Sequence, residues 1–384
     1  MKIPYGRQEI TPDDIAAVVS VLESDFLTQG PKVGDFETAI TTMVGAAHGI
    51  AVNSATSALH IACLALGVAR SDIVWTSSIS FVASANCAAL CGASIDFVDI
   101  DLPTFNISTE ALEHKLRTAS VMGKLPKVLI VVHMCGQSCD MERIYGLTQQ
   151  YGVSVIEDAS HAIGGKYKGK PIGNCTYSDI TVFSFHPVKL VTTGEGGIAV
   201  TNDARLASTM TLLRSHGVTR NPLEMKKESE GPWYYEQISL GLNYRMTDIQ
   251  AALGLSQLGR LDQYIERRNF LARRYDEKFA ESGLVTPYVG HDCRSAFHLY
   301  VIRVLDEHVS KNTLFKAMLE AGIGVNVHYR PIYRQPYYES MGFNEGYCPV
   351  AERYYREAMT LPLFPTMTTS EQDFVIETLC RHLS

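Results

Sequence analysis

A lysine and an aspartate that each follow a buried strand are the residues whose types and spacing most directly indicate chemistry. Lys189 follows the alternating stretch 181–185 and precedes the glycine-rich turn at residues 194–197. A lysine at the tip of such a strand can hold a carbonyl cofactor as a Schiff base. Asp158 ends another apolar run, residues 153–158. Because a carboxylate there can keep a pyridine nitrogen protonated, the pair predicts pyridoxal phosphate as cofactor, with Lys189 and Asp158 as catalytic residues.

Small residues between a strand and a helix indicate a phosphate site. The predicted strand at residues 49–52 leads through the polar and small residues 53–58 directly into a predicted helix. The free backbone N–H groups and the dipole of such a helix start attract a dianion. Taken alone, this segment is more typical of an ordinary serine or threonine cap than of a phosphate site. Beside Lys189 and Asp158, the phosphate site becomes the favoured interpretation.

Three further side chains lie close to these segments. Phe81 opens a predicted helix after a strand and can stack on a pyridine ring, with a place in the core as the alternative. Ser184 lies near the end of the strand that leads to Lys189, and its hydroxyl can donate a hydrogen bond to the phosphate. His161 follows Asp158 closely, and it can support that carboxylate, touch the cofactor ring or cap a helix.

The elements that must position these residues alternate between apolar strands and helices. The predicted strands are residues 49–52, 72–76, 94–98, 128–132, 153–158, 181–185 and 197–201. Such interleaving predicts an α/β fold with a largely parallel sheet covered on both faces. Beyond Thr247, a long helical pattern leads to residues 299–304, 314–320 and 324–327, which predict a smaller α+β unit. We expect residues 1–255 to form the large cofactor-binding domain and residues 256–384 the small C-terminal domain.

Composition limits the partners and the compartment. The 384 residues carry a formal charge of −7, which gives no broad attraction to nucleic acid or to a membrane surface, so we expect small-molecule ligands. Nine cysteines and an N-terminus without a secretory apolar run predict a reduced, cytoplasmic protein. The closely spaced pairs Cys87/Cys91 and Cys135/Cys139 lack zinc-ribbon spacing, so no metal is expected. No apolar segment reaches the ~18 residues that span a bilayer.

Two other motifs and one loop have competing interpretations. The pattern at residues 194–199 matches a dinucleotide fingerprint, but it precedes a strand instead of a helix, so we reject a nicotinamide site. Asp158, Ser160 and His161 have the residue types of a hydrolase triad but lie too close together in one segment. The charged stretch at residues 214–236 is consistent with both a functional flap and a solvated insertion.

Several motifs together carry a family resemblance that runs nearly end to end. Besides the lysine segment, they are residues 27–31, 53–59, 157–162, 241–252, 327–331 and 361–365. In these motifs the chain resembles the DegT/StrS group of pyridoxal phosphate enzymes of fold type I. Members of that group are sugar aminotransferases that act on nucleotide-linked keto-sugars. The resemblance implies a large domain with a mostly parallel seven-stranded sheet and a smaller C-terminal α+β domain.

The resemblance also implies roles for individual residues. It implies a Schiff base on Lys189, a pyridinium partner in Asp158 and ring stacking by Phe81. Phosphate contacts are implied for Ala55, Thr56 and Ser184, and His161 belongs with the cofactor-binding residues. Asn243 is implied to reach the cofactor phosphate of the neighbouring subunit, which would make the protein a homodimer with shared active sites. Two positions depart from the common pattern: Ala55 stands where many relatives have glycine, and His161 replaces a common glutamine.

The substrate is indicated by one branch of the group. Residues 79–87, 136–141 and 231–237 resemble the branch on the route to pseudaminic acid, which implies amino transfer from L-glutamate to C4 of a UDP-linked 4-keto-6-deoxy-N-acetylhexosamine. The substrate-binding candidates are Tyr5, Thr28, His328 and Tyr329, and for the last two structural packing is an equal alternative. An aminotransferase for another nucleotide-linked 3- or 4-keto-sugar and a noncatalytic cofactor-binding regulator remain alternatives. Lys189 argues against a sugar 3-dehydrase, in which a histidine replaces the lysine.

Overall fold

The computed structural model describes residues 2–305 and 309–383 of the chain. Its strands are β1 (His48–Val52), β2 (Ile73–Ser77), β3 (Ser94–Val98), β4 (Val128–Val132), β5 (Ser154–Asp158), β6 (Lys166–Tyr167), β7 (Lys170–Pro171), β8 (Ile180–Ser184), β9 (Gly197–Thr201), β10 (Val218–Thr219), β11 (Glu236–Gln237), β12 (Leu284–Val285), β13 (Cys293–Arg294), β14 (Tyr300–Val304) and β15 (Ala358–Leu361).

The helices alternate with these strands in the first two thirds of the chain. They are α1 (Pro12–Leu22), α2 (Pro31–Val44), α3 (Ala55–Ala65), α4 (Ala83–Leu90), α5 (Thr109–Val121), α6 (Met141–Tyr151), α7 (Ala204–Arg214), α8 (Asp248–Leu258), α9 (Leu261–Phe279), α10 (Lys311–Glu320), α11 (Pro336–Glu339), α12 (Pro349–Glu357) and α13 (Thr369–Arg381). Short 3-10 segments lie at Met134–Gly136 and Ile332–Arg334.

The central sheet has seven strands in the order β1-β9-β8-β5-β4-β2-β3. The pairs β8–β5, β5–β4, β4–β2 and β2–β3 are parallel, whereas β9 runs antiparallel to both of its neighbours. Every residue of β4 and β8 is buried, as expected for a sheet covered on both faces. The predicted α/β fold with a mostly parallel seven-stranded sheet is therefore confirmed.

Helices cover both faces of the central sheet. Since successive residues of a strand point to opposite faces, each strand contributes side chains to two cores. On one face, Val182 of β8 packs in a core with Leu59 of α3 and Met210 of α7. On the other face, the next residue, Phe183, packs in a core with Phe36 of α2. This arrangement leaves the carboxyl ends of β4, β5 and β8 together at one edge, which is where open α/β sheets bind ligands.

The C-terminal part contains a second sheet, in which β14 pairs antiparallel with both β12 and β15. Residues 324–327, which were expected to be part of the α+β unit, do not form a strand, since only Asn326 pairs there, through an isolated bridge to Thr360. The physical reason is that the N-terminal segment uses this backbone: Gly324 N–H donates to the Ile3 carbonyl at 2.6 Å. This pairing places the neighbouring Tyr5 beside His328, with their ring centroids 5.4 Å apart.

Two other predictions stay as they were made. The predicted domain boundary between residues 255 and 256 falls within α8 and stays a prediction. The charged stretch at residues 214–236 contains β10, which pairs with β11 at its end, and neither interpretation of this loop is excluded. Among the described residues, no helix is both long enough and apolar enough to cross a membrane.

Candidate active site

A cavity of about 680 Å³ opens at the carboxyl ends of the central strands. Its size is typical of sites for cofactors and small substrates. The predicted site residues in its wall are Tyr5, Ala55, Thr56, Phe81, Asp158, His161, Ser184, Lys189, His328 and Tyr329. These residues come from distant parts of the sequence, and the fold gathers them into one site.

Lys189 presents its amine to this cavity from the turn that follows β8. The side chain is half-buried, and Nζ lies 3.5 Å from Nε2 of His298. Burial lowers the pKa of Lys189 to about 8, because the ammonium form loses hydration, while the charge of Asp158 partly opposes this shift. The amine is therefore uncharged in a useful fraction of molecules at mildly alkaline pH, which suits a nucleophile or a base.

Asp158 is held rigidly at the carboxyl end of β5. Its Oδ2 accepts a hydrogen bond from the Ser84 hydroxyl at 2.7 Å. Its Oδ1 accepts from the Ser160 hydroxyl at 2.6 Å and from the Ser160 N–H at 3.1 Å. The carboxylate is only 5% exposed, so these three donors replace water and fix its orientation. A fixed anion of this kind can hold a positively charged ring nitrogen within the cavity.

The start of α3 has the features of a phosphate site. Ser54 caps the helix by accepting from Ser57 N–H at 3.1 Å. Among the described residues, no acceptor receives the N–H groups of Ala55 and Thr56, and both residues line the cavity. Gly197 of β9 lies so close that a Cβ there would be 2.5 Å from Ala55 N. The free donors, together with the nearby Ser184, fit the phosphate group of pyridoxal phosphate.

His161 lies between the cofactor-binding and substrate-binding candidates. Its Nε2 lies 3.3 Å from the Tyr329 hydroxyl, whereas its buried Nδ1 has no partner among the described residues. The ring therefore does not support Asp158 through a hydrogen bond, and contact with the cofactor ring remains a prediction. Burial and the neighbouring Lys189 hold the pKa of His161 well below its usual range, so the imidazole is neutral.

The other predicted contacts form the mouth of the cavity. Phe81 is 58% exposed, and its ring centroid is 6.2 Å from that of Tyr329. His328, which precedes Tyr329 across a cis peptide bond, places Nδ1 2.8 Å from the Thr360 hydroxyl. The His328 ring also lies 5.4 Å from that of Tyr5. Each of these side chains therefore packs partly against other side chains and faces the cavity with the rest of its surface.

Thr28 and Asn243 lie outside this cavity. Both residues are exposed, and each makes an isolated backbone bridge, Thr28 to Thr247 and Asn243 to Ser215. Within one chain they therefore cannot serve as first contacts of a ligand in the cavity. Their predicted roles require the neighbouring subunit, as the resemblance implies for Asn243.

Two residues that the sequence analysis did not select also contribute to the site. Ser84 binds Asp158, and His298 contacts Lys189. The signal for Ser84 was available, since it lies in the first turn of α4 directly after β2, a position analogous to that of Thr56. His298 has no comparable signal, because it comes from the segment before β14, more than a hundred positions from Lys189.

Comparison with known family models gives a match over residues 8–380, to the DegT/DnrJ/EryC1/StrS aminotransferase family. The chain is 41% identical over 380 residues to the spore coat polysaccharide biosynthesis protein SpsC of Bacillus subtilis, covering 98% of this chain and 95% of that protein. It is 38% identical over 380 residues to the UDP-4-amino-4,6-dideoxy-N-acetyl-beta-L-altrosamine transaminase of Campylobacter jejuni, with coverages of 98% and 96%.

Solved structures show the same architecture. Helicobacter pylori PseC, an aminotransferase involved in the biosynthesis of pseudoaminic acid, superposes with a TM-score of 0.90 at 31% identity, over 100% of this chain and 99% of that chain. Spr1654 of Streptococcus pneumoniae, in its PMP form, superposes with a TM-score of 0.91 at 31% identity, over 100% and 99%. That protein is also known in a PLP form.

Proposed function

The chain belongs to the DegT/DnrJ/EryC1/StrS aminotransferase family, and we propose that it transfers an amino group from L-glutamate to a UDP-linked 4-keto-6-deoxy-N-acetylhexosamine at C4. The family and its structural neighbours make the protein a sugar aminotransferase with pyridoxal phosphate as cofactor. What supports the finer proposal is the 38% identity to the Campylobacter jejuni transaminase over nearly the whole of both chains. A place in pseudaminic acid biosynthesis is part of the same proposal and draws on the similarity to PseC.

Each side chain in the cavity has a distinct task under this proposal. When bound, pyridoxal phosphate supplies an aldehyde that takes up the amino group and a ring that withdraws electrons. Lys189 Nζ would hold the aldehyde of the bound cofactor, and as a free amine it would take the proton from the α carbon of the amino donor. Asp158 would keep the proton on the ring nitrogen, and the N–H groups of Ala55 and Thr56 would hold the phosphate with Ser184.

The remaining candidates orient the ring and the sugar. Phe81 lies at the mouth of the cavity, where it can stack on the cofactor ring. His161 also lines the cavity, and its neutral imidazole can contact the cofactor ring without adding charge. Tyr5, His328 and Tyr329 line the space that a sugar would occupy. Thr28 and Asn243 would act from the neighbouring subunit of a homodimer, since neither residue lines the cavity of its own chain.

The family assignment leaves the sugar open, and one observation favours a second candidate. The identity to Bacillus subtilis SpsC is 41%, slightly above that to the altrosamine transaminase. An aminotransferase for a different nucleotide-linked 3- or 4-keto-sugar, used in a surface polysaccharide, is therefore the alternative. The two candidates share the cofactor chemistry and differ in how the sugar lies over the ring.

A substrate panel separates these candidates. The purified protein is incubated with L-glutamate and, in turn, with 4-keto and 3-keto nucleotide sugars, and mass spectrometry reports the amine-bearing product. We expect turnover to be highest with the UDP-linked 4-keto-6-deoxy-N-acetylhexosamine. Preferred turnover of another keto-sugar would favour the second candidate, and release of no ketoglutarate with any acceptor would contradict both.

Borohydride treatment followed by peptide mapping should find the cofactor adduct on Lys189, and an adduct on another lysine would overturn the assignment of this residue.

A further inference from the structure

His298 contacts the lysine at the centre of the site. Its Nε2 lies 3.5 Å from Lys189 Nζ, at the outer limit of a hydrogen bond, and the imidazole is only 5% exposed. Contacts of this length commonly tighten when a site binds its ligands. The neighbouring His161 ring, with its centroid 4.4 Å away, limits movement of His298 on one side.

The backbone that carries His298 is fixed by an unusual arginine. Arg268 of α9 is 2% exposed, and its Nη1 donates to the carbonyl oxygens of Phe297 and His298 at 3.2 Å and of Leu363 at 2.8 Å. On the other side, Gly136 has a φ of 103°, and a Cβ there would lie 3.1 Å from His298 N. The backbone that carries the imidazole is therefore held by neighbouring segments on two sides.

The charges around His298 keep its ring neutral. Burial holds the pKa of His298 well below its usual range, and Lys189, His161, Arg268 and His328 act in the same direction. Asp158, which faces Lys189 from β5, is the anion that acts on the amine. A neutral imidazole has one nitrogen that can accept a hydrogen bond. Among the described residues, Nδ1 of His298 has no hydrogen-bond partner. The contact between Nε2 and Lys189 Nζ is therefore the polar contact that the ring makes.

We propose that His298 is a positioning residue, which accepts a hydrogen bond from the Lys189 amine through Nε2. An amine that donates one N–H to a fixed acceptor keeps a single orientation, and its lone pair stays free for the reacting atoms. The same contact stabilises the protonated amine and thus opposes part of the effect of burial. The inference rests on the proposed role of Lys189 and concerns the state in which this lysine is a free amine.

Two amide variants provide a matched test. In His298→Gln the amide lies near the position of Nε2 and can still accept from Lys189, whereas in His298→Asn the amide lies near Nδ1 and cannot reach it. The full-length protein is freed of cofactor and labelled with trace acetic anhydride between pH 6 and 10. Peptide mass spectrometry then gives the titration midpoint of Lys189, with the exposed Lys124 as an internal reference.

The wild-type midpoint is expected at about 8. The Gln variant should keep this midpoint, and the Asn variant should lower it by about one pH unit, which is roughly a tenfold gain in uncharged amine well below the midpoint. An Asn midpoint equal to or above that of the Gln variant would overturn the proposal. His298→Ala gives the same comparison if the Asn variant does not fold. A borohydride adduct on a different lysine would instead refute the proposed function, so the two failures are distinguishable.

Discussion

Burial gives Lys189 a chemical property that an exposed lysine lacks. Its pKa of about 8 allows the amine to change protonation within the range in which enzymes work. The uncharged form, which alone can accept a proton, becomes more abundant as the pH rises through this value. The nearby Asp158 opposes the shift, which prevents the amine from becoming a weak base that would return the proton poorly.

The first prediction therefore concerns the pH dependence of turnover. With saturating glutamate and keto-sugar, kcat should rise with pH up to about 8 and then level off, since the base is increasingly uncharged. Initial rates between pH 6 and 9.5 measure this profile. Thermal midpoints across the same range separate loss of turnover from loss of fold. A kcat that stays constant from pH 6 to 9 would contradict a base with this pKa.

A second prediction isolates the charge of Asp158. Asp158→Asn keeps the shape of the side chain and one acceptor oxygen for Ser84 or Ser160, puts an NH2 donor in place of the other oxygen, and removes the anion that holds the ring nitrogen protonated. We expect kcat/KM to fall on the order of 100-fold, as when one electrostatic contact to developing charge is lost, while the fold is retained. Single-turnover kinetics with glutamate and circular dichroism measure the two effects. Asp13→Asn, at an exposed position, is the control and should leave both unchanged.

Sequence patterns located the residues with distinctive chemistry but not those that support them. Lys189 and Asp158 could be selected because each follows an apolar strand, and the structure brings both to one cavity. His298 could not be selected, because its position depends on the docking of the segment before β14 against the large domain. That docking uses a hydrogen bond from the Ala296 N–H to the Gly136 carbonyl, and Arg268 of α9 holds the same segment by donating to the His298 carbonyl. Such contacts leave no pattern in the local sequence.

At the scale of elements, the site depends on how closely β9 approaches the start of α3. Gly197 pairs with Val52, the last residue of β1, and thus lies beside the turn that leads into the helix. The N–H groups of Ala55 and Thr56 remain free because α3 begins immediately after this turn. A side chain at position 197 would have to occupy the space next to these donors.

The third prediction compares alanine substitutions at two glycines, one with backbone atoms close to the new Cβ and one with open space around it. In Gly197→Ala, the new Cβ would lie 2.5 Å from Ala55 N, so the helix start must move. We expect a loss of about 1–3 kcal/mol in the free energy of unfolding and weaker retention of pyridoxal phosphate on dialysis. The control is Gly146→Ala in α6, where the methyl group meets no atom within 4 Å, and it should be neutral or stabilising. Equal cofactor retention in the two variants would contradict this account of the phosphate site.

The order of elements in the large domain could be predicted because each strand is a short apolar run followed by a helix. The pairing partners could not be predicted in the same way. The orientation of β9 against β1 and β8 depends on the turn after Lys189. In the small sheet, β12 has only two residues, and residues 324–327 form no strand, since Gly324 bonds to Ile3 while Asn326 makes an isolated bridge to Thr360. Such contacts between distant segments override local preference.

At the scale of the whole molecule, the two predicted site residues that the cavity omits are exposed, and each has an exposed apolar side chain nearby in the sequence. Thr28 follows Leu27, which is 48% exposed, and Asn243 lies near Leu240, which is 84% exposed. The aromatic side chain of Trp233, in the charged loop, is also 70% exposed. Large apolar side chains near polar site residues are typical of a surface that another subunit covers. A second copy of the chain would protect them and would bring Asn243 to a cavity.

The last prediction tests whether two subunits share each site. If Asn243 acts on the partner's cofactor, then a dimer of one Lys189→Ala chain and one Asn243→Asp chain contains one intact site and one doubly defective site. Each variant alone should be inactive, since the first lacks the amine and the second places a carboxylate beside the phosphate. Unfolding and refolding the two chains at equal amounts should restore about a quarter of wild-type activity, because half of the dimers are mixed and half of their sites are intact.

The matched control pairs Lys189→Ala with Asp158→Asn. These residues line the same cavity of one chain, so every site in that mixture keeps one defect, and activity above that of the Asp158→Asn chain would contradict their placement. Recovery that is equally low in both mixtures would mean that Asn243 serves its own subunit, whereas an Asn243→Asp chain that is active alone would mean that Asn243 serves no site.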